Sequence, residues 1–219
     1  LQPASVEVQR SYWILTGHAS ILERSIPQAR GTFLQFCKSY VPLEAQWAIQ
    51  DLHLNIEDEG QSLARAIENN HGAAAVSDGS FSPTASYGTA AWIIQDELTG
   101  SELTGCMIIP GQPEDLDAYR CELGGLYGIV VTVDALCAYH SVTLGSITRA
   151  CDGEQALRHA TNEYDWISPA RPHFDLIAAI WARNARTPLK WESKHVKGHQ
   201  DDCKNAFLDR WDHLNVRMD

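Results

Sequence analysis

The sequence predicts an α/β fold in which a mixed five-stranded sheet is flanked by helices. Strand-like segments rich in small and β-branched residues alternate with amphipathic helical segments after residue 72. The first three strand segments follow one another through short turns, which predicts an antiparallel meander. Helical segments precede the fourth and fifth strands, which predicts that these two run parallel. The predicted order is therefore β-β-β-α-β-α-α-β.

The predicted elements follow from periodicity and from turn residues between them. The strands are Ala73–Ser80, Tyr87–Asp96, Leu103–Pro110, Ser146–Asp152 and Lys190–Lys197. The helices are Asp117–Tyr139, Gly153–Asn162, His173–Ala185 and part of Leu208–Met218. The first helix is the longest and contains the pair Gly124-Gly125, whose small size predicts a close approach of helix to sheet.

The 219 residues are enough for one well-buried domain with an extension. We predict a domain over residues 71–219, preceded by a helical extension or connector over residues 1–70. That first region contains prolines and only short helical patches, at Gly31–Tyr40 and Gly60–Asn69. The sequence begins without Met and stops at Asp219, so we expect a fragment of a longer chain.

Composition limits the classes of function. Six cysteines form no CxxC pair, which is typical of a reducing, intracellular compartment. The sequence has no apolar run of about 20 residues, so we expect no membrane partner. A net charge of −11 argues against general nucleic-acid binding through a basic surface. The acids are either solvated surface groups or converge on a metal ion, and composition alone does not choose.

Three acids occupy corresponding ends of predicted elements. Asp78 ends the first strand, Asp152 ends the fourth strand, and Glu122 lies near the start of the long helix. The first and fourth strands can pair in parallel through that helix, which places both strand ends at one edge of the sheet. Oxygen ligands of this kind favour Mg²⁺ or Mn²⁺.

Each acid also has a simpler structural interpretation. Asp78 alone is typical of a turn residue before Gly79. Glu122 alone is typical of a charge favoured by the helix dipole. Asp152 alone is typical of a helix N-cap. The sequence leaves these interpretations open for each acid taken separately.

Four short motifs then occur in order over about residues 73–219. They are VSDGSF with GTAAWII after it, YRCEL, ACDGE and HVKGHQDD. Each is weakly specific alone, but their order and the elements between them resemble the ribonuclease H domain of retroelement reverse transcriptases. The resemblance implies a ribonuclease H-like fold for this part of the chain.

The resemblance also implies roles for individual residues. Asp78, Glu122 and Asp152 match the first three metal-binding carboxylates, with Asp78 bridging two ions. His199 matches a loop histidine that assists proton transfer and product release. Asp219 fits the spacing of the fourth acid, four residues after an asparagine, and this assignment implies that the domain is truncated at its C-terminus. Asp209 is the rival, because it lies closer to His199 along the chain.

The implied activity is endonucleolytic hydrolysis of the RNA strand of RNA–DNA hybrids with two Mg²⁺ ions, for which Mn²⁺ can substitute. The implied partners are the hybrid and the other domains of a reverse transcriptase polyprotein. The implied substrate contacts are Gly79, Ser80, Arg120 and Gln155. One alternative is a catalytically silent ribonuclease H-like module that binds nucleic acid or a partner. Another is a different nuclease or transposase of the same superfold.

Overall fold

The structure is a computed structural model that describes residues 31–54, 58–161, 168–198 and 208–219, together with the backbone of two strands before them. These two strands are β1 (Ser5–Gln9) and β2 (Tyr12–Thr16), which pair antiparallel in a two-stranded sheet of their own.

The remaining elements build one larger sheet and its helices. Its strands are β3 (Asp51–Leu54), β4 (Ala73–Ser82), β5 (Tyr87–Asp96), β6 (Glu102–Ile108), β7 (Ser146–Cys151) and β8 (Lys190–His195). The α-helices are α1 (Phe33–Tyr40), α2 (Gln61–Glu68), α3 (Ala118–His140), α4 (Glu154–Ala160), α5 (Phe174–Arg186) and α6 (Arg210–Val216). Short 3₁₀ helices span Leu43–Ile49 and Pro113–Asp115.

The larger sheet is mixed, with strand order β3-β6-β5-β4-β7-β8. Strands β4, β5 and β6 form the predicted antiparallel meander, and β4, β7 and β8 run parallel. The α/β class and this change from antiparallel to parallel pairing are confirmed. The prediction of five strands is wrong, because β3 pairs antiparallel with β6 as a sixth strand. This four-residue edge strand alternates between exposed and half-buried positions, which is too short a pattern to be recognised from sequence.

The region before residue 70 contributes to the main hydrophobic core. Phe33, Cys37, Ala48 and Leu63 are buried in the same cluster as the apolar residues of α3. The predicted helices of this region are present as α1 and α2. The prediction of a helical extension is otherwise incomplete, because the region also contains the strands β1, β2 and β3. The described residues on both sides of residue 70 thus share one core. The predicted domain boundary at residue 70 stays a prediction.

Helix α3 lies close against the sheet, as the glycine pair predicts. A Cβ at Gly125 would lie 2.8 Å from Ser77 Cβ, and one at Gly124 would overlap Ile109. This helix is long and apolar enough to cross a membrane by length and composition, yet 89% of its most apolar window is buried inside the fold. Its apolar character is therefore explained by core packing.

A second, smaller cluster covers the opposite face of the sheet. Adjacent residues of β4 point to opposite faces, so Ala75 packs in the main core while Val76 packs against Leu214 of α6. The sheet thus has helices on both faces.

Five of the six cysteines are described by the structure. Cys37, Cys106, Cys121, Cys137 and Cys151 are not in disulfides, and Cys203 lies outside the described residues.

Candidate metal centre

The parallel pairing of β4 with β7 brings Asp78 and Asp152 to one edge of the sheet. Ser77 pairs with Cys151 at the end of the shared register, and the two aspartates follow that pair directly. Strand β4 itself continues to Ser82 through pairing with β5, in which Asp78 lies opposite Ala91. Asp78 therefore marks the end of the contact with β7 and not the end of its strand, and the turn interpretation is wrong.

Glu122 reaches the same place because α3 contacts β4 at the next residue. A Cβ at Gly79 would overlap the backbone of Cys121 and Glu122, so only glycine permits this approach. Glu122 is the fifth residue of α3, and the first turn of that helix contains no acid. Interaction with the helix dipole at the first turn therefore does not explain this side chain.

Asp152 is not a helix cap. The N-cap position of α4 is Gly153, and no side chain makes a capping hydrogen bond there. The Oδ1 atom of Asp152 is buried and has no hydrogen-bond partner among the described residues. A buried carboxylate oxygen without a donor is unfavourable unless something else compensates it. Such an oxygen is suited to a cation.

The electrostatics of Glu122 indicate the same need. Burial, together with the neighbouring charges of Asp152 and Asp78, raises the pKa of Glu122 to about 8. Hydrogen bonds from the Cys151 thiol and the Gly79 backbone act in the opposite direction. Ionisation of a carboxyl group in this position is unfavourable without a positive charge nearby.

The ligand atoms in this region are close enough to share an ion. One ligand atom each from Glu122, Cys151 and Asp152 lies within 4.8 Å of the others. Asp78 is not in this group of three, but it is buried and its charge acts on Glu122. The carboxylate oxygens are the donors that Mg²⁺ and Mn²⁺ prefer. Glu122 and Asp152 therefore offer ligand atoms that fit a divalent metal, and Asp78 as a third ligand stays a prediction.

The predicted substrate contacts differ in exposure. Ser80 and Gln155 are exposed, and Gly79 is half-buried. Arg120 is buried, and its guanidinium donates to both carboxylate oxygens of Asp175 at 3.0 and 2.9 Å. It also donates to the backbone oxygen of Pro110 at 3.0 Å. This geometry gives Arg120 a structural role in holding α3 to α5, and its predicted substrate contact stays a prediction.

His199 lies outside the described residues, and its role stays a prediction. The last described residue before it, Gly198, is at the metal centre, because a Cβ there would overlap Oδ2 of Asp152. The side chain of His195 also reaches this region, with Nε2 2.9 Å from the backbone oxygen of Asp152. The chain thus enters the predicted histidine loop directly beside the acids.

The fourth acid also stays a prediction. Asp209 is the N-cap of α6, accepting from the backbone N–H groups of Trp211 and Asp212. Asp219 is exposed and follows the end of α6. Neither belongs to the group of neighbouring ligand atoms found among the described residues.

Sequence reasoning missed one member of this centre, Cys151. It appears in the sequence as an apolar residue of a buried strand, and it is indeed fully buried. The structure shows in addition that its Sγ lies 3.0 Å from Oε2 of Glu122. Its position directly before Asp152 is the only signal in the sequence that could have indicated this contact.

No protein-family model and no curated protein matches the chain. Similar solved structures are ribonuclease H proteins. The chain is similar to RNase H1 from the halophilic archaeon Halobacterium salinarum, with 14% identity, a TM-score of 0.43, and coverage of 66% of this chain and 95% of that chain. It is similar to LC11-RNase H1 in complex with an RNA/DNA hybrid, with 12% identity, a TM-score of 0.45, and coverage of 66% and 94%. It is also similar to the N-terminal RNase H domain of a Mycobacterium tuberculosis protein, with 11% identity, a TM-score of 0.39, and coverage of 66% and 92%.

Proposed function

We propose that this chain hydrolyses the RNA strand of RNA–DNA hybrids at a divalent metal centre formed by Asp78, Glu122 and Asp152. The observation that supports the proposal is the convergence of these three acids where β4, β7 and α3 meet. The alternative structural explanations for Asp78 and Asp152 fail, since neither is a turn or cap residue. Crowded carboxylates are unfavourable unless a cation neutralises them.

The three acids would hold Mg²⁺, and Mn²⁺ would substitute for it because both prefer oxygen ligands. When bound, such ions supply an activated water and stabilise the charge that develops on the leaving oxygen. The proposal includes two such ions, and Asp78 would be among the residues that hold them. Asp219 is proposed as the fourth ligand.

The chain's own residues prepare the site by rigid placement. Asp78 and Asp152 are fixed by adjacent strands of the sheet, one residue after a paired position. Glu122 is fixed by hydrogen bonds from the Gly79 backbone and from Cys151. Ligands held this way need little reorganisation when an ion and substrate bind.

The substrate is proposed to lie across the exposed surface beside these acids. Ser80 and Gln155 are exposed and can donate or accept hydrogen bonds to phosphate and sugar groups. Recognition of the RNA strand would depend on 2′-hydroxyl groups and backbone shape, with little reading of the bases. His199, which directly follows Gly198 in sequence, is proposed to assist proton transfer.

The chain is proposed to act inside the cell as a domain of a retroelement reverse transcriptase. The order of the four sequence motifs supports this context. The net charge of −11 opposes binding to a polyanion. We therefore propose that neighbouring domains supply most of the electrostatic attraction, and that binding by this chain alone is weak and sensitive to salt.

The test is cleavage of a hybrid labelled on its RNA strand, in Mg²⁺, by the parent chain and by Asp78→Asn. Glu192→Gln is the control, because that carboxylate is exposed on β8 and belongs to no part of the centre. The proposal expects cleavage by the parent and the control and its loss in Asp78→Asn. A hybrid left intact by the parent in both Mg²⁺ and Mn²⁺ contradicts the proposal. If the parent binds the hybrid without cleaving it, the chain is the catalytically silent module. If it cleaves double-stranded DNA as readily as the hybrid, it is a different nuclease.

A further inference from the structure

The thiol of Cys151 is held between two groups at the metal centre. Its sulfur is fully buried at the end of β7 and accepts a hydrogen bond from the backbone N–H of Gly153 at 3.3 Å. The same sulfur lies 3.0 Å from Oε2 of Glu122, within hydrogen-bond distance for sulfur. The thiol is therefore in contact with backbone on one side and with a predicted metal ligand on the other.

The direction of the second hydrogen bond follows from the chemistry of its two partners. When Glu122 binds a cation it is a carboxylate, which only accepts hydrogen bonds. The Gly153 N–H already donates to the sulfur, so the S–H proton is available for Glu122. The thiol is thus the donor and Oε2 the acceptor.

This contact fixes the one site carboxylate that is carried by a helix and not by a strand. Glu122 has a long side chain that passes close to Gly153. A Cβ added at Gly153 would lie only 2.8 Å from the Cγ of Glu122. The backbone of Gly153 therefore limits the side chain on one side, and the Cys151 thiol holds one of its two oxygens. The Gly79 backbone donates a further hydrogen bond to this carboxylate, so the group is held from more than one side.

We propose that Cys151 is a positioning residue, whose S–H orients the Glu122 carboxylate for metal binding. The inference depends on the proposed metal centre and adds to it a residue that does not itself bind the ion. Partners of metal ligands commonly affect metal affinity by about 10-fold to 100-fold when they are removed.

The chain offers a matched control for the loss of a buried thiol. Cys137 is also buried, in α3, and no hydrogen bond joins it to a carboxylate among the residues described. Cys137→Ala therefore reports the cost of emptying thiol-sized space in the core. Cys151→Ala adds the loss of the hydrogen bond to Glu122, and Cys151→Ser retains a donor at the same place.

The first experiment is calorimetric titration of each protein with Mg²⁺ alone. We expect Cys151→Ala to bind Mg²⁺ about 10-fold more weakly than the parent, and Cys151→Ser and Cys137→Ala to remain within about 3-fold of it. Thermal unfolding in EDTA should show destabilisation of both alanine variants, with Cys151→Ala at least as destabilised as Cys137→Ala because it also loses a hydrogen bond. The metal affinity then separates positioning from packing.

The second experiment detects the hydrogen bond directly by infrared spectroscopy of the S–H stretch. The parent minus Cys151→Ala difference spectrum should show an S–H band at lower frequency than the parent minus Cys137→Ala spectrum. Bands at equal frequency would overturn the hydrogen bond.

The outcomes separate this inference from the proposed function. If Cys151→Ala binds Mg²⁺ as tightly as the parent does, the positioning role is overturned but the proposed metal centre is not. A serine variant as weak as the alanine variant also overturns it. A parent that binds no Mg²⁺ or Mn²⁺ refutes the metal centre, and the positioning role with it.

Discussion

The raised pKa of Glu122 predicts that the metal-free protein becomes less stable as the pH rises. The ordinary pKa of a glutamate here is 4.5, and burial together with Asp152 and Asp78 raises it to about 8 in the folded state. Between these values the unfolded chain releases this proton while the folded chain keeps it. The unfolded state then binds fewer protons, so the free energy of unfolding falls with increasing pH.

The magnitude follows from the two pKa values. Their difference corresponds to a ceiling of about 5 kcal/mol of unfolding free energy, fully present below about pH 4.5 and lost by about pH 8. Replacing Glu122 by Gln removes the titrating group at nearly constant volume. The variant should therefore lack most of this pH-dependent loss.

The assay is urea denaturation in EDTA at about pH 5 and about pH 8, with the parent and Glu122→Gln compared at each. All other titrating groups are common to both proteins, so the difference between their pH slopes reports Glu122. Mg²⁺ at saturation should restore stability to the parent at the higher pH, because the ion binds the ionised carboxylate. Equal pH slopes for the two proteins would refute the reasoning.

Three further predictions test the structure around this centre. Gly198→Ala should weaken Mg²⁺ binding in calorimetry with little change in thermal stability, because the new Cβ must displace the end of the Asp152 side chain; unchanged affinity would contradict this. In the parent, the buried guanidinium of Arg183 lies 2.7 Å from the Asp134 carboxylate. Asp134→Asn leaves that guanidinium without a full counter-charge and should lower the free energy of unfolding in urea by about 3–5 kcal/mol. A loss as small as that for an exposed carboxylate would argue against a buried pair. A fragment of residues 71–219 should lack a cooperative thermal transition, since it loses apolar residues of the main core; a transition as sharp as that of the whole chain would show an independent domain.

The arrangement of the acids could be predicted because it follows from local patterns and general topology. Periodicity identified each strand that the structure describes after residue 72 and the described helices between them, with ends that differ from the structure by a few residues. The parallel pairing of the strands before Asp78 and Asp152 then placed both acids at one edge. The position of the glycine pair in α3 predicted its close approach to the sheet.

What could not be predicted depends on contacts between residues that are distant in sequence. Strand β3 forms by pairing with β6, and the hydrophobic pattern of its four residues is too short to predict it. The ion pair between Arg120 and Asp175 joins residues that are 55 positions apart, so the sequence pattern around Arg120 gave no sign of it. The hydrogen bond between Cys151 and Glu122 likewise joins two elements whose side-chain directions are set by packing.

The central claim is that Asp78, Glu122 and Asp152 jointly hold a divalent cation. Anomalous diffraction from a crystal soaked in Mn²⁺ tests it most directly. We predict an anomalous peak about 2.1 Å from carboxylate oxygens of these three residues, with either Asp219 or Asp209 identified as a further ligand by its distance. A well-ordered centre without such a peak, or a peak bound only by other acids, would contradict the claim.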